Sequence, residues 1–249
     1  MVKSIHKEDR TSCLDKNLNI KENLMKYEIM GGNLPAVICK LSKGEKIVCE
    51  SGAMSWMDDA FTMETSGGGL KKMFGKAFSG ESMFSNTYTA DRDGEIAFAS
   101  SFPGEILAVE IGPGRSIIAQ KKAFLASESG VEMSVFFQKK LSGGFFGGEG
   151  FIMEKFTGNG YVFLEIDGAV KEYDLAPGER KIMDTGHLVM MEDTCSLTVE
   201  TVKGIKNKFL GGEGLFNTVV TGPGKVVIQT MPIAKTAELI SALIPSSNS

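Results

Sequence analysis

FGGEGFI, residues 146–152, is the stretch on which the fold turns, because near-copies stand elsewhere as FSGESMF (78–84) and LGGEGLF (210–216). The shared pattern is apolar, small, Gly, Glu, small, apolar, apolar. Its glutamates are Glu81, Glu149 and Glu213, spaced by 68 and 64 residues. A second marker recurs in the same order: LSKGEKIV (41–48), IGPGRSII (111–118) and LAPGERKI (175–182), with turn glycines Gly44, Gly114 and Gly178. Two ordered markers with one period of 64–70 residues indicate a threefold internal duplication.

Each unit reads as β structure. It opens with what reads as a strand pair: YEIMGGNLPAVICKL (27–41), GEIAFASSFPGEILAVEI (94–111) or GYVFLEIDGAVKEYDL (160–175). These are short runs of β-branched and aromatic residues broken by Gly, Pro or Asp. In the turn that follows, Pro113 or Pro177 presets φ and the glycine is free to take positive φ. The expected units span about 25–93, 94–159 and 160–223, after a flexible extension over 1–24. A strand at 224–231, GKVVIQTM, starts a fourth copy and is expected to lie near the N-terminal strand and close a ring, removing exposed edges. AKTAELISALI (234–244) reads as the one clear helix, ended by Pro245, with the segment from 233 onward forming a helix and tail.

Composition supports this reading. Gly supplies 30 of 249 residues and hydrophobic residues 42%, enough for a large core with many tight turns. The net charge of −4 argues against broad nucleic-acid binding. No apolar run reaches the roughly 18–20 residues of a membrane helix, and no signal-peptide pattern is seen, so a cytoplasmic protein is expected. Cys13, Cys39, Cys49 and Cys195 show no CxxC spacing, and His6 and His187 are the only histidines. Free thiols are expected, and neither a metal site nor a cofactor.

Catalytic and nucleotide motifs are near-misses. In GGGLKKMFGKA (67–77) Gly69 lies one residue too far from Gly75 for a phosphate loop, and Ala77 replaces the magnesium-binding hydroxyl. Asp91-Arg92-Asp93-Gly94-Glu95 lacks the later ligands of a calcium loop and reads as a solvated hairpin turn. No GxSxG elbow occurs, and His187 reads as a structural or surface histidine. No enzyme activity is expected.

Two features remain as candidate sites. Glu81, Glu149 and Glu213 either form a carboxylate ring for a cation or each accept N–H bonds within their own Gly-rich turn; duplication favours the second. The segments just before them, LKKMFGKA (70–77), FFQKKLSGGFF (136–146) and KGIKNKFL (203–210), hold eight lysines and no acidic residue. Lys71, Lys72, Phe74, Lys139, Lys140, Phe145, Lys206, Lys208 and Phe209 would form one basic, apolar face if the units share a threefold axis. Such a face suits an anionic membrane surface or an acidic protein partner; the plainer reading has the aromatics plugging each unit while the lysines stay solvated.

Together the repeats, the FGGEG-type segments, MKYEIMGGNLPAVICKL (25–41) and ESGAMSWMD (50–58) resemble the family that includes the altered inheritance of mitochondria protein 24, over about residues 25–232. The resemblance implies an all-β fold like that of the tryptophan RNA-binding attenuation protein. That is three tandem units of short double-stranded β-helix around a pseudo-threefold axis. It implies no catalytic residues. Bacterial members have no established activity, and the mitochondrial member is implicated in inner-membrane organisation. The expected function is a non-enzymatic scaffold or interaction protein, a homo-oligomer, peripheral to a membrane through the basic face. The alternatives are an RNA-binding or a small-ligand-binding β-ring protein.

Overall fold

The computed structural model describes residues 25–66, 85–139, 150–201 and 216–244. Among these the chain is predominantly β. The first six strands are β1 (Lys26–Met30), β2 (Ala36–Leu41), β3 (Lys46–Glu50), β4 (Met54–Met57), β5 (Phe61–Ser66) and β6 (Ser85–Ala90). The next six are β7 (Gly94–Ala99), β8 (Gly104–Ile111), β9 (Ile117–Gln120), β10 (Phe124–Glu128), β11 (Val131–Lys139) and β12 (Phe151–Gly158). Then come β13 (Gly160–Asp167), β14 (Val170–Leu175), β15 (Arg180–Asp184), β16 (Leu188–Glu192), β17 (Ser196–Thr201) and β18 (Phe216–Thr221). Strand β19 (Gly224–Gln229) and helix α1 (Ile233–Leu243) complete the order.

The strands form four antiparallel sheets: β1-β2-β7-β4, β5-β6-β3-β10-β13-β8, β11-β12-β9-β16-β19-β14 and β15-β18-β17. The same pairings return every six strands. β3 pairs with β6, β9 with β12 and β15 with β18. β2 pairs with β7, β8 with β13 and β14 with β19. β4, β10 and β16 pair with β7, β13 and β19, each with a bulge at the same place: Met54/Trp56, Phe124/Ala126 and Leu188/Met190.

This corrects three expectations. β1 and β2 are a pair, but β7 and β8, and β13 and β14, lie in different sheets or on different partners. The cause is visible at Gly104. A Cβ there would lie 1.7 Å from the Ile166 carbonyl oxygen, so the bare Gly104 backbone fits closely beside β13 and the Pro103-Gly104 corner delivers β8 to that strand instead of back onto β7. The fourth opening strand does form, as β19, yet it pairs with β14 and β16 and not with β1. The Asp91–Glu95 turn likewise joins strands of two sheets instead of closing a hairpin; its carboxylates accept bonds from Thr62 Oγ1 (2.6 Å) and the Lys43 N–H (2.8 Å).

The turn chemistry is as read: Gly44, Gly114 and Gly178 take φ of 89°, 75° and 78°. Three apolar clusters lie between successive sheets. Val37, Cys39 and Phe98 of the first sheet meet Ile47, Leu125 and Phe163 of the second. Ile111, Phe124 and Leu164 of the second meet Ile117, Phe156 and Val227 of the third. Ile118, Met153 and Leu188 of the third meet Val220 of the fourth. Phe98, Phe156 and Phe163 are fully buried, each worth roughly 1.5–3 kcal/mol in apolar burial. Alternation along each strand lets the middle sheets feed a cluster on either face.

Candidate functional site: the hairpin ends and their carboxylate locks

The lysine-bearing segments have one structural setting. Ser66 pairs with Ser85, Lys139 with Phe151 and Thr201 with Phe216. Each segment therefore leaves and re-enters the fold between directly paired residues, at the end of β5–β6, β11–β12 or β17–β18. Of the candidate face, Lys139 is described. Lys71, Lys72, Phe74, Lys140, Phe145, Lys206, Lys208 and Phe209 lie outside the described residues, as do Glu81, Glu149 and Glu213.

Lys139 ties two of these ends together. Its Nζ donates to the Val199 carbonyl at 3.1 Å and lies 5.4 Å from the centre of the Phe216 ring. Val199 and Phe216 sit on β17 and β18, so the base of the second segment touches the base of the third. An ammonium over an aromatic face gains from the ring quadrupole. Phe151, the first apolar residue after the FGGEG run, is fully buried and packs edge-on to Phe137 at 6.1 Å. The apolar tail of that motif thus anchors the hairpin end in the core.

A repeated carboxylate does occupy equivalent places, at residues the sequence reading missed. Asp58 Oδ2 accepts the Glu95 N–H at 2.9 Å, Glu128 Oε2 the Tyr161 N–H at 2.6 Å, and Glu192 Oε2 the Lys225 N–H at 2.9 Å. Each acid follows or ends the fourth strand of its set and locks the first strand of the next. Glu128 also accepts the Met25 N–H at 3.0 Å through Oε1. Burial pushes its carboxyl above the ordinary range, opposed by those two bonds. The available signal was an acid 32–36 residues before the glycines Gly94, Gly160 and Gly224, a spacing too long to register as a motif.

The other candidate polar groups among the described residues have structural partners or are buried. His187 Nδ1 lies 2.7 Å from the Gln229 carbonyl oxygen, a structural bond. Cys39, Cys49 and Cys195 are buried free thiols; burial pushes all three up, Cys49 to about 12, so they hold no thiolate at neutral pH. A recess of about 60 Å³ lies between Gln120, Lys122, Glu165, Asp167 and Gln229, room for a few waters and not for a metabolite. Asp167 there accepts the Ile233 N–H at 2.8 Å, capping α1 from a distant strand. No group of three His, Cys, Asp or Glu side chains is placed to hold a metal ion among the described residues. No helix among them is long and apolar enough to cross a membrane.

Comparison with known proteins agrees with this architecture. The chain is 27% identical over 244 residues to an uncharacterised protein of Streptococcus pyogenes serotype M6, covering 94% of this chain and 97% of that one. A crystal structure of a Streptococcus pyogenes protein superposes with a TM-score of 0.73 at 24% identity, over 88% of this chain and 100% of that one. Residues 27–231 match the family model described as mitochondrial biogenesis AIM24, and this chain, strand β1 through β19, belongs to that family.

Proposed function

We propose that the protein is a non-enzymatic interaction protein whose three lysine-bearing hairpin ends act as one basic, apolar face on an anionic membrane surface, its three tandem units following one another by the same rotation about a shared axis. The observation that supports this best is the common setting of the three segments. Each bridges the paired ends of the fifth and sixth strands of a six-strand set. The Lys139 contact to Val199 and Phe216 then brings two of those ends side by side. Eight lysines without an acid, once gathered on one face, would give a local positive field on a chain of net charge −4. Interleaved Phe, Leu and Met supply the apolar part that a headgroup interface accepts.

The test is flotation with vesicles of phosphatidylserine and phosphatidylcholine. Each lysine near such a surface is worth about 1 kcal/mol, so K71E/K139E/K206E is expected to lower partitioning by on the order of 100-fold with an unchanged circular dichroism spectrum. Wild-type binding is expected to weaken steadily with salt. A triple variant that floats as well as wild type contradicts the proposal, as does a wild-type chain that ignores vesicles but shifts RNA in a gel at moderate salt.

A further inference from the structure

The strand pairing contains one broken term. The third strand of one set pairs with the fourth strand of the next: β3 with β10, and β9 with β16. The same rule applied to β15 calls for a fourth strand, and the fourth strand without such a partner is β4. Among the described residues β4 and β15 are the outer strands of the first and fourth sheets, which have four and three strands where the middle sheets have six. Joined at these edges they would make one sheet of the same construction, β17-β18-β15-β4-β7-β2-β1.

The edges match residue by residue. In the two formed joints Ser127 faces Val48 and Met191 faces Ile118, while Glu128 faces Ile47 and Glu192 faces Ile117. Carried to the free edges through the equivalent bulges and turn glycines, that register sets Met57 opposite Ile182, Trp56 opposite Met183 and Asp58 opposite Lys181. One step further it sets Asp59 opposite Arg180. Acidic residues at the end of β4 thus meet the two basic residues that open β15. Trp56, Met57 and Ile182 are 48%, 38% and 57% exposed. Their counterparts Ala126, Met190, Ser127, Met191 and Ile118 are buried and Val48 is half-buried. Exposed apolar edges of this kind are usually blunted or paired.

We infer that β15 of one copy of this chain pairs with β4 of a second copy, head to tail, so that copies complete each other's split sheet. The occupant is a second copy because the edges are complementary to each other and not to themselves. Within one chain they belong to different ends of the fold. The first sheet packs in the first apolar cluster and the fourth in the third, and no cluster among the described residues joins them. A heterologous contact of this sort gives a ring where its rotation closes and a filament where it does not.

The experiment mixes two pools, each with one added cysteine in a Cys13→Ser background that keeps the buried Cys39, Cys49 and Cys195, one M57C and one I182C; positions 57 and 182 are exposed, so the substitutions are mild. Under mild oxidation the mixture is expected to give a covalent dimer joined through positions 57 and 182, which neither pool gives alone. Analytical ultracentrifugation of the wild-type chain is expected to show at least a doubling of the monomer mass, lost in R180D/K181D. The inference is overturned if the wild-type chain sediments as a monomer up to its solubility limit. It is equally overturned if the double variant M57C/I182C cross-links only within single chains.

Discussion

Glu128 shows how one carboxylate can hold two units of the chain together. Its two oxygens accept the N–H groups of Met25 and Tyr161, groups 103 and 33 residues away. Glutamine in its place presents an NH2 to one of those donors, so E128Q is expected to cost about 1–3 kcal/mol in urea denaturation. The pH dependence has a definite sign. Burial holds this carboxyl above its ordinary value, so the folded chain keeps the proton after the unfolded chain has released it. As pH rises from the ordinary carboxylate range through the raised folded value, Glu128 removes stability. E128Q is expected to flatten the stability curve in that window, and an unchanged slope would remove the carboxylate from this role.

At the scale of the element, what was local in the sequence was legible. The turn glycines, the strands around them and the helix at 234–244, found at Ile233–Leu243, follow from side-chain alternation, positive φ and Pro punctuation, all within a few residues. Partner choice was not legible. The short link between β7 and β8 reads as a hairpin by length alone, but these strands pair with β2 and β4, and with β13. The same distance hid the Asp58, Glu128 and Glu192 locks, and it sent β19 to β14 and β16 instead of to β1. The lysine-bearing segments were legible as composition; that each is bounded by directly paired strand ends needed the pairing. Gly104 is where this element-level reading is most exposed to test. G104A puts a methyl group against the Ile166 carbonyl, and the β8–β13 ladder must open to admit it. A loss of more than about 3 kcal/mol is expected by chemical denaturation. G114A is the control, since a Cβ at Gly114 meets nothing within 4 Å and its cost is the backbone term of about 1–2 kcal/mol. Equal costs at the two sites would contradict the close approach.

For the whole molecule, the six-strand pairing rule places three lysine-bearing segments at equivalent hairpin ends and leaves two complementary edges, β4 and β15. The two consequences are independent. Under the two proposals, edge pairing would multiply copies of the chain, the hairpin ends would give each copy a binding surface, and assembly would raise the avidity of that surface without a new contact. The measurement that bears most directly on the face is amide hydrogen exchange of the full chain with and without phosphatidylserine vesicles. Protection is expected to rise together in 67–84, 140–150 and 202–215, and to stay unchanged across β9 and β16. Protection confined to one of the three segments, or absent from all of them, would contradict a shared face.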